Sequence, residues 1–157
     1  MNIARPLYIF DLDGTLALNE HRNHFLQRER KDWRGFFGAC DKDAPNEAVI
    51  RTMGLLRNYL ADVWIWSGRS DEVREKTVEW LVQHTTFMSS DFGARGALRM
   101  RAEGDYTPDE VLKRQWLDAM LPEDRARLVA VFDDRDKVVA MWRDAGVACF
   151  QVAPGGF

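Results

Sequence analysis

Three short runs of uninterrupted apolar residues each stop at a polar cluster, and this pattern limits the fold more than any other feature of the chain. Leu7–Phe10 (LYIF) leads into Asp11-Leu12-Asp13-Gly14-Thr15. Val63–Trp66 (VWIW) leads into Ser67-Gly68-Arg69-Ser70, and Leu128–Phe132 (LVAVF) into Asp133-Asp134-Arg135-Asp136. Runs this short suit strands covered on both faces rather than buried helices. Val147–Val152 reads as a last strand.

Helical patterns fill the intervals. Pro45 opens one, with apolar residues at Val49, Ile50, Met53, Leu56 and Leu60. Ser70 is placed to cap a second, which carries Asp71 and Glu72 in its first turn and reaches about His84. Thr107-Pro108-Asp109-Glu110 starts a third, ending near Met120. Asp136–Ala145 is a fourth, closed by Gly146. Residues 85–104 read as one or two short strands with loops. Residues 19–44 are polar, with Phe25, Trp33, Phe36 and Phe37 interspersed, and read as a helix or two. Strand–helix alternation predicts an α/β fold: a central parallel sheet flanked by helices on both faces, in one domain over residues 1–157. Such sheets bind ligands beyond the carboxyl ends of their strands, so the three polar clusters are expected to converge.

Each cluster has a chemistry that its residue types suit. Asp11 and Asp13, at i and i+2, leave a strand on the same side. One can attack phosphorus while the other handles the leaving-group proton. Gly14 permits the turn, and Thr15 offers a hydroxyl. Ser67 can donate to a phosphoryl oxygen, Gly68 lets the backbone approach, and Arg69 can grip phosphate with two N–H groups. Lys113 would neutralise charge beside the carboxylates. Asp133 and Asp134 repel one another unless a cation lies between them, and Asp11 with one or both of them suits Mg²⁺, a hard ion that prefers oxygen. Taken singly, D-G is a plain turn, S-G-R a capped loop and D-D a helix start; together they point to one site.

Other classes are excluded. The 22 Lys and Arg against 25 Asp and Glu, a net charge of −3, is not the balance of a general nucleic-acid coat, though a local basic groove remains compatible. Cys40 and Cys149 form no C-x-x-C pair and are expected to be free thiols. The residues before Leu7 do not resemble a signal peptide, and no apolar stretch is long enough to span a membrane, so a cytoplasmic protein is expected. There is no Walker nucleotide motif, H-E-x-x-H or G-x-S-x-G. His21, His24 and His84 have no metal-binding spacing and are expected to lie in loops or on the surface without a role.

Asp11, Asp13, Ser67, Lys113 and Asp133/Asp134, in this order, resemble the four motifs of the haloacid dehalogenase (HAD) superfamily of phosphohydrolases. That resemblance implies a three-layer Rossmann-like sheet, an aspartyl-phosphate intermediate and a Mg²⁺ site drawn from Asp11, Asp13, Asp133 and Asp134. A closer resemblance spans nearly the whole chain, to the 3′-phosphatase domain of phage polynucleotide kinase–phosphatases. It is carried by DLDGTLALNEHR, CDKDAP, WSGR, RAEGDYTPDEVLK and FDDRDKVVAMWRDAGVACFQVAPGGF. By position it implies phosphate or substrate roles for Arg22, Arg69 and Arg101, and a positioning role for Asp109 near Lys113. The kinase domain of the bifunctional enzymes has no counterpart here. Residues 19–44 match poorly beyond Arg22 and are expected to form a small insert shaping the cleft mouth, with no large cap domain.

The expected activity is thus removal of a 3′-phosphate from DNA or RNA ends, with a separate kinase or ligase as an implied partner. Arg22, Arg28, Arg30, Lys31 and Arg34, near the predicted cleft mouth, lean toward an oligonucleotide substrate. A phosphatase of free nucleotides or other small phosphomonoesters would use the same motifs. A module that only binds phosphorylated ends would not need an intact nucleophile.

Overall fold

The structure, a computed structural model, describes residues 4–93 and 97–156. Seven strands and six helices alternate along it: β1 Leu7–Phe10, β2 Ala17–Leu18, α1 Trp33–Gly38, β3 Ala44–Pro45, α2 Glu47–Leu55, β4 Asp62–Ser70, α3 Arg74–His84, β5 Leu98–Arg101, α4 Asp109–Asp118, α5 Pro122–Arg127, β6 Leu128–Asp133, α6 Asp136–Asp144 and β7 Ala148–Gln151. Five strands form one parallel sheet in the order β5-β4-β1-β6-β7, and β2 and β3 pair antiparallel beside it. The chain winds outward from β1 to β5, then crosses back to β6. The direction of winding therefore reverses between β1 and β6, where open α/β sheets hold their ligands.

Period-two alternation divides the core. Phe10, Val63 and Ile65 face α2 and α3 and pack with Met53, Trp80 and Leu81. Ile9, Trp66 and Val131 face α4 and α6 and pack with Trp116, Val138 and Trp142. β1 is buried on both faces, as its unbroken LYIF run requires. Gly146, at φ +75°, ends α6 in the left-handed conformation that glycine adopts most readily.

Several expectations shift in detail. Pro45 does not open a helix; it lies in β3 opposite Ala17, and α2 starts at Glu47. A missing N–H is harmless on such a short edge strand. The apolar pattern continues beyond α2 as a wider turn over Leu56–Leu60, which leaves Leu60 exposed. β4 runs on through Ser67-Gly68-Arg69 to Ser70, whose side chain accepts from the Glu72 N–H and caps the next turn. Among the described residues of 85–104 one strand forms, β5, and the short α5 had no legible pattern. No helix among the described residues is long and apolar enough to cross a membrane. Cys40 and Cys149 are free and buried.

Candidate active site

β1 ends at Phe10, and the Asp11 N–H donates across to the Phe132 carbonyl at 2.8 Å. This bond ties the first acidic cluster to the last. The chain then turns tightly, with the Leu16 and Ala17 N–H groups both donating to the Leu12 carbonyl. Gly14 holds φ +84° in that turn, and a Cβ there would collide with the Asp134 carboxylate. Glycine is needed for both reasons.

Asp11, Lys113, Asp133 and Asp134 form a buried group at this junction. Lys113, carried by the second turn of α4, donates to Asp11 Oδ1 at 2.6 Å and to Asp133 Oδ2 at 2.8 Å. Asp133 Oδ1 accepts the N–H groups of Asp134 and Arg135 at 3.0 and 3.4 Å. Asp134 Oδ1 is buried with no hydrogen-bond partner among the described residues. One ammonium therefore faces three carboxylates. Burial pushes the Asp11 carboxyl well above its ordinary value; Lys113 opposes the shift, and Asp133 and Asp134 add to it. Burial, then the Asp133 charge, raises Asp134 to about 7. Burial would favour the neutral amine of Lys113, but Asp11 and Asp133 outweigh it and hold the ammonium firmly charged.

Asp13, two residues on, has different company. Arg22 and Arg69 donate to its Oδ1 at 2.6 and 2.5 Å, and both guanidiniums also reach Asp43. Arg22 binds both Asp43 oxygens, at 2.7 and 2.6 Å, and lies 4.3 Å from the Phe36 ring centre. Arg69 also donates to Thr77 Oγ1, and His21 Nε2 meets Asp43 Oδ1 at 2.8 Å. Burial would raise the Asp13 carboxyl, but Arg69 and Arg22 together hold it at about 2. Burial likewise pushes Asp43 up, against the Arg22 contacts.

A third group joins β4 to α4. Arg101 donates to the Gly68 carbonyl at 2.7 Å and to Asp109 at 2.5 Å, and Arg135 donates to the other Asp109 oxygen at 2.8 Å. Asp109 therefore orients basic groups, and it does so one turn before Lys113. Ser67 Oγ accepts the Arg69 N–H at 3.1 Å, which leaves its proton available to a ligand. Thr15 Oγ1 is buried without a partner among the described residues.

The three predicted clusters thus meet at the carboxyl ends of β1, β4 and β6. Within them the structure redistributes several expected roles. Arg22 and Arg69 are fully buried and engaged with Asp13 and Asp43, rather than open to solvent. Asp13 lies with those arginines, and the carboxylates within 4.8 Å of one another are those of Asp11, Asp133 and Asp134. Gly68 is small because the Asp109 carboxylate occupies the space of its missing Cβ. Asp43, Thr77, Arg135 and His21 were given no role from the sequence. Of these, Asp43, His21 and Arg135 had a signal, since they lie in the CDKDAP, DLDGTLALNEHR and FDDRDK stretches.

The donor set fits a hard divalent cation. Three carboxylates converge, Lys113 leaves the second oxygen of Asp11 without a hydrogen bond among the described residues, and the orphaned Asp134 oxygen lacks a positive partner. Oxygen-only donors with net negative charge suit Mg²⁺.

The family model for the polynucleotide kinase PNKP phosphatase domain matches residues 5–157. A putative bifunctional polynucleotide kinase/RNA ligase from Autographa californica nuclear polyhedrosis virus is 30% identical over 135 residues, covering 85% of this chain and 17% of that protein. Two solved structures of a Pnkp1/Rnl/Hen1 complex, one described as an RNA repair complex, superpose with TM-scores of 0.77 and 0.75 at 29% and 27% identity. They cover 98% and 100% of this chain but 44% and 49% of the matched chains. The class C acid phosphatase of Bacillus anthracis shares the fold at a TM-score of 0.61 and 11% identity, over 99% of this chain and 69% of that one. The chain thus spans less than half the length of the viral protein and of the two repair-complex chains that it matches.

Proposed function

The chain belongs to the family of polynucleotide kinase PNKP phosphatase domains, which have the HAD fold, and on that premise we propose that it removes the 3′-phosphate from polynucleotide ends through a phosphoaspartate on Asp11. The observation that carries this reading is the Asp11 carboxylate at the switch point of the sheet, held at one oxygen by Lys113 at 2.6 Å. The other oxygen is left to attack phosphorus.

Asp11 attacks in line, and the ester oxygen of the terminal nucleoside departs. Asp13 supplies the proton that this oxygen needs, then takes one from the water that hydrolyses the acyl phosphate. In the free protein, Arg22 and Arg69 hold Asp13 ionised. An arriving phosphoryl dianion opposes those guanidiniums and raises the proton affinity of Asp13 when an acid is required. Ser67 and Thr15 present hydroxyls to the equatorial oxygens, and Lys113 keeps its charge beside them. Asp134, with an unpaired oxygen, is the residue best placed to hold Mg²⁺, since Asp133 has both oxygens engaged and the free oxygen of Asp11 is the nucleophile; Asp11 would share with the ion the oxygen that Lys113 contacts. The chemistry such an ion supplies is neutralisation between carboxylates and phosphoryl group. The product, a 3′-hydroxyl, is what an end-joining ligase requires, so a kinase or ligase working on the same ends is the implied partner.

A substrate panel at fixed salt tests the reading: 3′- and 5′-phosphorylated DNA and RNA oligonucleotides, 3′-mononucleotides and sugar phosphates, each with Mg²⁺ and with EDTA. The expected result is Mg²⁺-dependent phosphate release, fastest from 3′-phosphorylated oligonucleotides. Equal rates on oligonucleotide and 3′-mononucleotide would reduce the protein to a small-phosphomonoester phosphatase. Binding without turnover would make it an end-binding module.

A further inference from the structure

A polynucleotide end brings more than a phosphate, and its strand must cross the rim of the cleft. Two segments bearing an exposed aromatic residue are tied to the carboxyl end of β4, one through Arg69, Asp13 and Arg22, the other through Arg101, which donates to Gly68. In the first, Trp33 is 44% exposed and rests against Phe36 and Phe37, with ring centres 6.0 and 5.9 Å away. Phe36 lies beneath the Arg22 guanidinium, which grips Asp13. Trp33 therefore stands on a fixed base only a few contacts from the reacting groups. In the second, Tyr106 is 87% exposed, in a loop whose Asp105 and Thr107 carbonyls both accept from Arg101.

Charge separates the two segments. Residues 28–34 carry Arg28, Arg30, Lys31 and Arg34 against Glu29 and Asp32, in a chain whose net charge is −3. Arg28 pairs with Asp32, whereas Arg30 and Arg34 make no ion pair among the described residues, and Lys31 lies 5.7 Å from the Trp33 ring centre. The Tyr106 loop is flanked instead by Glu103, Asp105 and Glu110, and the Arg101 that reaches into it is already paired with Asp109. A phosphodiester chain is attracted to the first segment and repelled by the second.

We propose that the single strand on the 5′ side of the terminal phosphate lies across residues 28–34, with a base stacked on Trp33 and its phosphates against Arg30, Lys31 and Arg34. This rests on the polynucleotide reading above and adds the path of the strand. Stacking on an aromatic side chain tolerates any sequence, while cations track the backbone.

The test measures kinetics of the full chain on a single-stranded 3′-phosphorylated oligonucleotide and on a 3′-mononucleotide, across a salt series. The variants are Trp33→Ala, the triple change R30Q/K31Q/R34Q, and Tyr106→Ala. Trp33→Ala is expected to lower oligonucleotide kcat/KM about tenfold, mostly through KM. The triple variant should flatten the dependence of log kcat/KM on log salt by about 2, given roughly 0.7 per phosphate contact on single strands. Mononucleotide kinetics should stay within about twofold, which also verifies folding, and Tyr106→Ala should match the parent. If the parent prefers oligonucleotides but the first two variants keep that preference and salt slope, or Tyr106→Ala abolishes it, the proposed path is wrong. If the parent shows no preference, the polynucleotide reading itself fails, and this inference with it.

Discussion

Asp11 and Asp13 are two residues apart, yet they belong to buried charge clusters built on opposite plans. Around Asp11, one ammonium serves three carboxylates and an oxygen of Asp134 has no partner. Around Asp13, two guanidiniums face two carboxylates, with Thr77, the Phe36 carbonyl and His21 completing the network. The first cluster is short of positive charge and is poised to accept a cation. The second is balanced and nearly closed, so it fixes geometry. The protonation tendencies follow: burial and mutual repulsion raise Asp11 and Asp134, while Arg69 and Arg22 overcome burial to depress Asp13. Two aspartates two residues apart thus differ in proton affinity because of their partners.

Substitutions can break this contrast. The largest expected effect is on turnover: Asp11→Asn should lower kcat by at least about 10³-fold, read by phosphate release from the purified variant. Next, Asp43→Ala should destabilise the protein by about 3–5 kcal/mol in urea unfolding, because it leaves two buried guanidiniums with one carboxylate. The corresponding change in the other cluster should have the opposite sign. Asp134→Asn should stabilise the metal-free protein by about 1 kcal/mol at pH 8 by relieving repulsion, yet weaken Mg²⁺ binding at least about tenfold, as calorimetric titration would detect.

The pH dependence sharpens the same contrast. Asp134 has a folded-state pKa of about 7, above its ordinary value of 3.8, so its contribution to stability is fully present below about pH 4 and is lost as pH rises through 7. Asp13, depressed to about 2, contributes stability that is present above about pH 4 and is lost as pH falls through 2. In metal-free unfolding experiments, the gain from Asp134→Asn should grow between pH 4 and 8. The cost of Asp13→Asn should level off above pH 4. Smallest of all, His21→Ala should cost no more than about 1 kcal/mol, because its contact to Asp43 is half-exposed and the two arginines remain.

The sequence made the first cluster more legible than the second. Asp11, Ser67 and Asp133 follow unbroken apolar runs, so the carboxyl ends of parallel strands were a safe place to put them. Lys113 was legible only through the spacing of its helix start and the family likeness. The Asp13 network had no local signature. Asp43 acts from a connecting segment on arginines 21 and 26 residues away in sequence, and polar loop residues show no period that reveals such a contact. The phosphate roles expected of Arg22 and Arg69 therefore carried no hint that both are also buried against Asp13 and Asp43. The mislaid boundaries have equally local causes. Pro45 suits an edge strand as well as a helix start, and the six residues of α5 bury no side chain, so they leave no apolar stripe.

The most direct test of the account is to trap the phosphorylated enzyme. Asp13→Asn should slow hydrolysis of the intermediate. An aryl phosphate with a good leaving group bypasses the need for an acid in the first step. After rapid quenching with Mg²⁺ present, peptide mapping should place a hydroxylamine-labile phosphate on Asp11. A phosphate on any other side chain, or sustained turnover of the Asp11→Asn protein, would contradict the assignment of this carboxylate as the nucleophile.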